Sequence, residues 1–253
     1  MVIKRLTLPA SAAINCGIIS TMSSQPSSSR SLRFSVLSAI TFGLFVIACN
    51  AIADAPREIT MGLVQKIFYF HVPCAWLLML STLVCAGGSI AYLFGGSERG
   101  DRIALSSAEL GVLFGLCVLV SGPLWARAAW GVYWQWEARL TSSLLLWLMM
   151  VAYVLARRYG GPSARRLAAA LALFAAIDIP LVYFSVRYFR SIHPQTTVVS
   201  TLVPGMRGAF WLSLLAFTSL WWLLISIRVA AEDRAAEIID LEVLLDQAEE
   251  KKA

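Results

Sequence analysis

Six runs of about 20 apolar residues decide what this chain can become, because a helix rising about 1.5 Å per residue needs that length to cross about 30 Å of hydrocarbon. The runs cover residues 32–53, 74–95, 105–125, 141–156, 167–186 and 208–227. The fourth is short and is expected to begin or end in the interface. None of them alternates apolar and polar residues with period two, which excludes a membrane β-barrel. Composition agrees: 58% of residues are hydrophobic and 14% charged, against roughly 25% charged in soluble domains. The expected fold is all-α, a polytopic membrane protein with six transmembrane helices.

Six crossings put both termini on one side. That side carries 14 of the Lys and Arg residues and the other carries 7, so the positive-inside rule puts both termini in the cytoplasm. Three parts follow. Residues 1–31 are expected to be a disordered tail, because 20–31 is Ser-rich and aperiodic. Their basic, acid-free character resembles an organellar transit peptide, but a bacterial tail is the simpler reading, with Met22 as an alternative start. Residues 32–227 form the transmembrane domain, with a Trp-rich outer loop at 126–141. Residues 228–253 are expected to form a cytoplasmic helical tail, since Ile238, Leu241, Leu244 and Leu245 recur at helical spacing among eight acids. The five cysteines contain no C-x-x-C pair and read as packed thiols, with Cys74 nearest the outer surface.

Charged residues within the spans are few. Asp178 precedes Pro180 in the fifth, and Glu109 lies near the inner end of the third. A bound proton, a packed carboxyl and a transport role account for Asp178 equally well.

The unusual residues gather in the outer loops. Trp125, Trp130, Trp134 and Trp136, with Tyr133, fall within 12 residues. An aromatic belt would spread over many helix ends and both faces. Four indoles beside Gly131, which lets the backbone bend, read instead as a flat apolar platform. The chain has two histidines, and the topology sets both on the platform side. His71 ends the first outer loop and His193 lies in the third. Such a pair suggests axial ligands to a porphyrin iron, which needs an apolar slot, nitrogen ligands on both faces and cations for its propionates. Zinc is less well served, since two histidines and one Glu make a poor tetrahedral set. Arg187, Arg190 and Arg207 in the third outer loop suit propionates and lipid phosphates equally.

These residues also carry a family resemblance. The motif W-G-x-x-W-x-W-D-x-R-L-T-S appears as Trp130, Gly131, Trp134, Trp136, Glu137, Arg139, Leu140, Thr141 and Ser142. The segment from Lys66 through His71 to Trp76 is similar to K-I-x-Y-x-H-V-P-x-A-W. The stretch 179–186 leads into His193 as the family's chain leads into its second histidine. Over residues 32–227 the chain thus resembles the CcmC family, haem-handling cytochrome c maturation proteins of the tryptophan-rich "WWD" membrane class. Two departures stand out. The motif's Asp is Glu137, and the W-W pair before the second histidine is Tyr188-Phe189.

The resemblance implies haem b held between His71 and His193 as axial ligands. It implies that Trp130, Trp134, Trp136, Glu137 and Arg139 contact the haem and dock a periplasmic haem chaperone, CcmE. ABC transporter subunits CcmA and CcmB and a small membrane subunit, CcmD, complete the expected assembly. The protein would sit in the bacterial inner membrane with its haem site on the periplasmic side. It would deliver haem for c-type cytochrome biogenesis rather than catalyse a reaction. On charge alone, Asp in place of Glu137 is expected to be nearly silent and Gln to weaken transfer. The alternative is a b-type electron-transfer cytochrome, whose histidines usually lie inside facing helices. The haem lyase relative, CcmF, shares the Trp motif but is longer, with more spans and more histidines. A haem-free secondary transporter should show an internal repeat, and none is visible.

Overall fold

The computed structural model describes residues 28–161, 163–195 and 197–251. Of the tail expected at 1–31, residues 1–27 lie outside the described residues and 28–31 are helical. Two compact units divide the chain, residues 1–40 and 41–253. The described part of the first is the opening half of helix α1. The elements are α1 (Ser28–Asp54), a 3-10 turn (Leu63–Ile67), α2 (Phe68–Gly95), α3 (Glu98–Trp130), α4 (Ala138–Tyr159), α5 (Ala164–Tyr188), the one-turn α6 (Val198–Thr201) and α7 (Pro204–Glu250). Six of these helices are long and apolar enough to cross a membrane.

The helices run past the apolar runs that signal them. The first starts at Ser28 rather than at residue 32. The fourth is not short: α4 has 22 residues, about 33 Å. Its polar start stays helical because Ser142 and Ser143 donate back to the carbonyls of Ala138 and Arg139, bonds that a membrane helix can make within itself. The last helix continues without a break from its apolar part to Glu250, so the tail is an extension of α7 and not a separate element.

Small residues let the bundle close. One core cluster joins Leu78 and Cys85 of α2, Ala104 and Ala108 of α3, Leu146 and Met150 of α4, and Ala168, Ala172 and Ala175 of α5. Alanines three and four apart make a smooth stripe for close helix approach, the packing favoured where lipid removes the hydrophobic drive. A second cluster packs α2 and α3 on Trp221 and Ile225 of α7. There the Trp221 indole N–H donates to Ser81 Oγ at 2.8 Å. Cys74 belongs to this cluster and is fully buried, so it is not an accessible surface thiol. Its neighbours in α3 and α7 cover it.

Ion pairs tie the helices together where α3 begins. Asp101, almost fully buried, accepts from Arg157 of α4 and Arg165 of α5, each at 2.7 Å. Glu109 accepts from Arg158 of α4 and Arg228 of α7. Arg102 reaches Asp233 of α7, but that pair is partly exposed. Removing Asp101 strands the Arg157 guanidinium and leaves Arg165 only its Glu98 partner, and breaking a buried pair from one side costs about 3–5 kcal/mol. Asp101→Ala should therefore lower the thermal unfolding midpoint of the detergent-purified protein by several degrees, whereas Arg102→Ala should leave it almost unchanged, because exposed pairs contribute about 0–1 kcal/mol. Circular dichroism melts of the two variants check this. Equal midpoints would show that the Asp101 network carries no special weight.

Candidate functional site

Opposite the ion-paired end, helix ends and loops enclose a cavity of about 210 Å³. His71, Gly122, Trp125, Trp130, Arg139 and His193 are among its lining residues, and the rest of the wall is largely apolar. The site is assembled from the ends of α2, α3, α4 and α5 and the segment that follows α5.

His71 is not in a loop. The 3-10 turn runs directly into α2, so the aromatic run Phe68-Tyr-Phe and His71 fill the helix's first turn. The ring is fixed from α3. Ser121 Oγ donates its one hydrogen to the Cys117 carbonyl at 2.6 Å. It can then only accept from His71, whose Nδ1 lies 2.9 Å away. His71 is thereby held as the Nδ1–H tautomer, with the Nε2 lone pair uncommitted. Gly122 makes room for the ring: a Cβ there would stand 3.2 Å from His71 Cε1.

His193 reaches the same state by a different route. Its Nδ1 lies 2.9 Å from the Pro194 carbonyl. A carbonyl only accepts, so Nδ1 carries the hydrogen and Nε2 is again free. Burial, helped by the nearby Arg139 charge, pushes the His193 pKa down to about 3, against the smaller opposing effect of the Pro194 carbonyl. The ring is thus neutral at any physiological pH, the form that can bind a metal.

The tryptophan segment is less of a loop than its sequence implies. Trp130 is the last residue of α3, and Gly131 caps the helix with φ of 79°, a left-handed conformation that favours glycine. Only residues 131–137 are irregular, and Arg139 sits in the first turn of α4. The four indoles do not form a flat platform. They make two edge-to-face pairs, Trp125–Trp130 with centroids 5.0 Å apart and Trp134–Trp136 at 5.6 Å, as ring quadrupoles prefer. The first pair lines the cavity, and Trp130 also meets the His193 ring edge-on at 6.3 Å. The second pair is not among the lining residues. Trp136 is 77% exposed, while the Trp134 indole nitrogen is buried without a partner.

Glu137 does not pair with Arg139. Its Oε2 accepts the backbone N–H of Ile192 at 3.0 Å, which ties the tryptophan segment to the residue before His193. Its Oε1 and Arg139 Nη1 are both buried with no partner. An unsatisfied guanidinium N–H on a cavity wall is costly unless something fills the cavity with an acceptor.

The other cations at this end are mostly spent locally. Lys66 donates to the carbonyls of Ile52 and Ala53 at the end of α1. Arg127 bonds the Gly131 carbonyl, and Arg207 the Leu202 carbonyl beyond α6. Such groups complete helix C-termini. None of Arg187, Arg190 and Arg207 lines the cavity, whereas Arg139 does. Among the described residues, no three His, Cys, Asp or Glu side chains converge as a metal site. Ser121, Gly122 and Tyr183 are also site residues, which their place in the sequence does not single out. Ser121-Gly-Pro is a polar interruption in an apolar helix, which is a signal, but nothing in it names His71 as the partner.

Comparison with known proteins identifies the family. The family model described as "Heme exporter protein C" matches residues 20–247. A "Heme exporter protein C" of Bradyrhizobium diazoefficiens is 35% identical over 198 residues, covering 77% of this chain and 75% of that protein. One from Escherichia coli is 28% identical over 171 residues, covering 64% and 68%. A putative ccmC-like mitochondrial cytochrome c biosynthesis protein of Marchantia polymorpha is 32% identical over 158 residues, covering 59% and 68%. With nearly its whole length matched and six membrane-length helices in place, the chain belongs to the CcmC family of heme exporter proteins.

Proposed function

We propose that the cavity receives haem b at the outer face of the bacterial inner membrane and passes it to a periplasmic chaperone of the CcmE kind for c-type cytochrome biogenesis. CcmA, CcmB and CcmD complete the assembly in this reading, and both termini are cytoplasmic. The observation that carries it is the pair of imidazoles on one cavity, each fixed through Nδ1 with Nε2 free. Haem iron takes such nitrogens axially. The names of the relatives point to the same cargo.

The chain's residues divide the work. His71 and His193 present neutral Nε2 atoms, so ligation releases no proton. Trp125 and Trp130 supply aromatic wall, and Arg139 offers its unpartnered N–H to a propionate, a charge-assisted bond. Trp136 lies toward the outside, where a partner docks, with Trp134 packed edge-to-face behind it. At about 210 Å³, the cavity is below the roughly 300–1,000 Å³ of small-molecule sites. A macrocycle that fills it keeps an edge outside, which suits cargo that must leave.

Absorption spectra of protein purified from haem-replete cells test the proposal. His71→Ala and His193→Ala should each lose the six-coordinate low-spin spectrum, with partial recovery on adding imidazole. Two variants with wild-type spectra would overturn the axial assignment. Retention of haem through dialysis against a scavenger would favour a resident b-type cytochrome instead.

Ser121→Ala removes the acceptor that orients His71, and loss of such a supporting bond typically costs about 10–100-fold in metal affinity. Haem titration should show that loss with the His193 side unaffected. An unchanged affinity would mean that Ser121 does not set the His71 tautomer.

At Glu137 the geometry reverses the expectation from charge alone. Gln keeps an oxygen for the Ile192 N–H, whereas Asp is one methylene too short to reach it from the same backbone. Glu137→Gln should retain the low-spin spectrum better than Glu137→Asp, and Glu137→Ala should lose about 1.5–3 kcal/mol of loop anchoring. Haem affinities of the three variants check the order, and an Asp variant that outperforms Gln would restore charge as the deciding property.

A further inference from the structure

The last 17 residues of α7 carry an exposed apolar face. Up to Asp233 the helix is anchored, through Arg228 to Glu109 and through Asp233 to Arg102. Beyond it, among the described residues, α7 makes no side-chain hydrogen bond or ion pair, yet it stays helical for about 25 Å more. Ile238, Leu241, Leu245 and Ala248 follow a heptad a-d-a-d pattern, the seam of a coiled coil. Leu244 widens the stripe and is 60% exposed, and Ile238 is 56% exposed.

The charges flanking this stripe select its occupant. Residues 234–250 hold six acids and one Arg. Glu237 takes a g position, and Glu242 and Glu249 take e positions. In a parallel pair with a second copy, Glu237 faces Glu242 across the seam. In an antiparallel pair e meets e, so Glu242 faces Glu249, while the second g position of the segment is Leu244. Like charges at these positions set partner choice by repulsion. Anionic lipid headgroups are repelled for the same reason. We propose that residues 234–250 are a docking helix for a basic amphipathic helix of another protein, one with apolar a and d residues and Lys or Arg at e and g.

The test uses the full-length protein in neutral-lipid nanodiscs and two fluorescent synthetic helices of about four heptads, both with Leu at a and d, one with Lys and one with Glu at e and g. The Lys helix should bind at least about tenfold more tightly than the Glu helix, and salt should weaken it. Leu241→Ser with Leu245→Ser should abolish binding, and E237K with E242K should reverse the preference. Equal binding of both helices, or of neither, overturns the proposal. So does cross-linking of tails between two copies, tail-dependent flotation with anionic vesicles, or tighter Lys-helix binding after deletion of residues 1–27, which would make the chain's own basic N-terminal segment the occupant.

Discussion

Hydrocarbon offers no hydrogen-bond partner, so a peptide group inside it must find one in the same segment. That single constraint makes the spans helical and pushes irregular backbone to their ends. Everything chemically unusual in this protein follows it there. His71 occupies the first turn of α2, Trp130 the last residue of α3, Arg139 the first turn of α4, and His193 the segment after α5. The helix ends leave N–H and C=O groups without intrahelical partners, and lysine and arginine side chains complete several of them. Positive charge at the cavity end thus has a local structural use and is not simply an exception to the rule that sets orientation.

Inside the spans the same constraint governs side chains. Serine and threonine return their hydroxyls to carbonyls of the previous turn, as at Thr82, Ser121 and Ser213. Most such bonds only satisfy the hydroxyl. Ser121 differs because its oxygen, with its hydrogen committed, becomes an acceptor of fixed direction. A routine membrane-helix bond becomes the device that fixes a histidine tautomer. Asp178 has no comparable arrangement: it is buried with Oδ2 unpartnered, and no ion pair reaches it among the described residues.

The spans were legible because their signal is local: length and apolarity are properties of consecutive residues. The two histidines and the tryptophan motif were legible by rarity and spacing. The helix ends were not. Aromatic and polar residues fit an interface loop and a helical turn equally well, so His71 and Trp130 read as loop residues when they are helical. The contacts that orient the site were hidden altogether. His71 meets Ser121 across 50 positions, and Glu137 meets Ile192 across 55. No periodicity links such pairs. The Glu137 contact also changes what the residue means, from a charge beside Arg139 to an acceptor that holds a neighbouring strand of chain.

The unbroken length of α7 has a mechanical consequence. Its 47 residues make a rod of about 70 Å. Near its start, Met206, Ala209 and Phe210 pack on Tyr69, with Phe68 and Val72 alongside. Phe68 and Val72 are also cavity wall, one on each side of His71 in the sequence. Because the helix is continuous, the residues that back the cavity wall and the exposed stripe around Leu241 belong to one element, and the Arg228–Glu109 and Arg102–Asp233 pairs pin it between them.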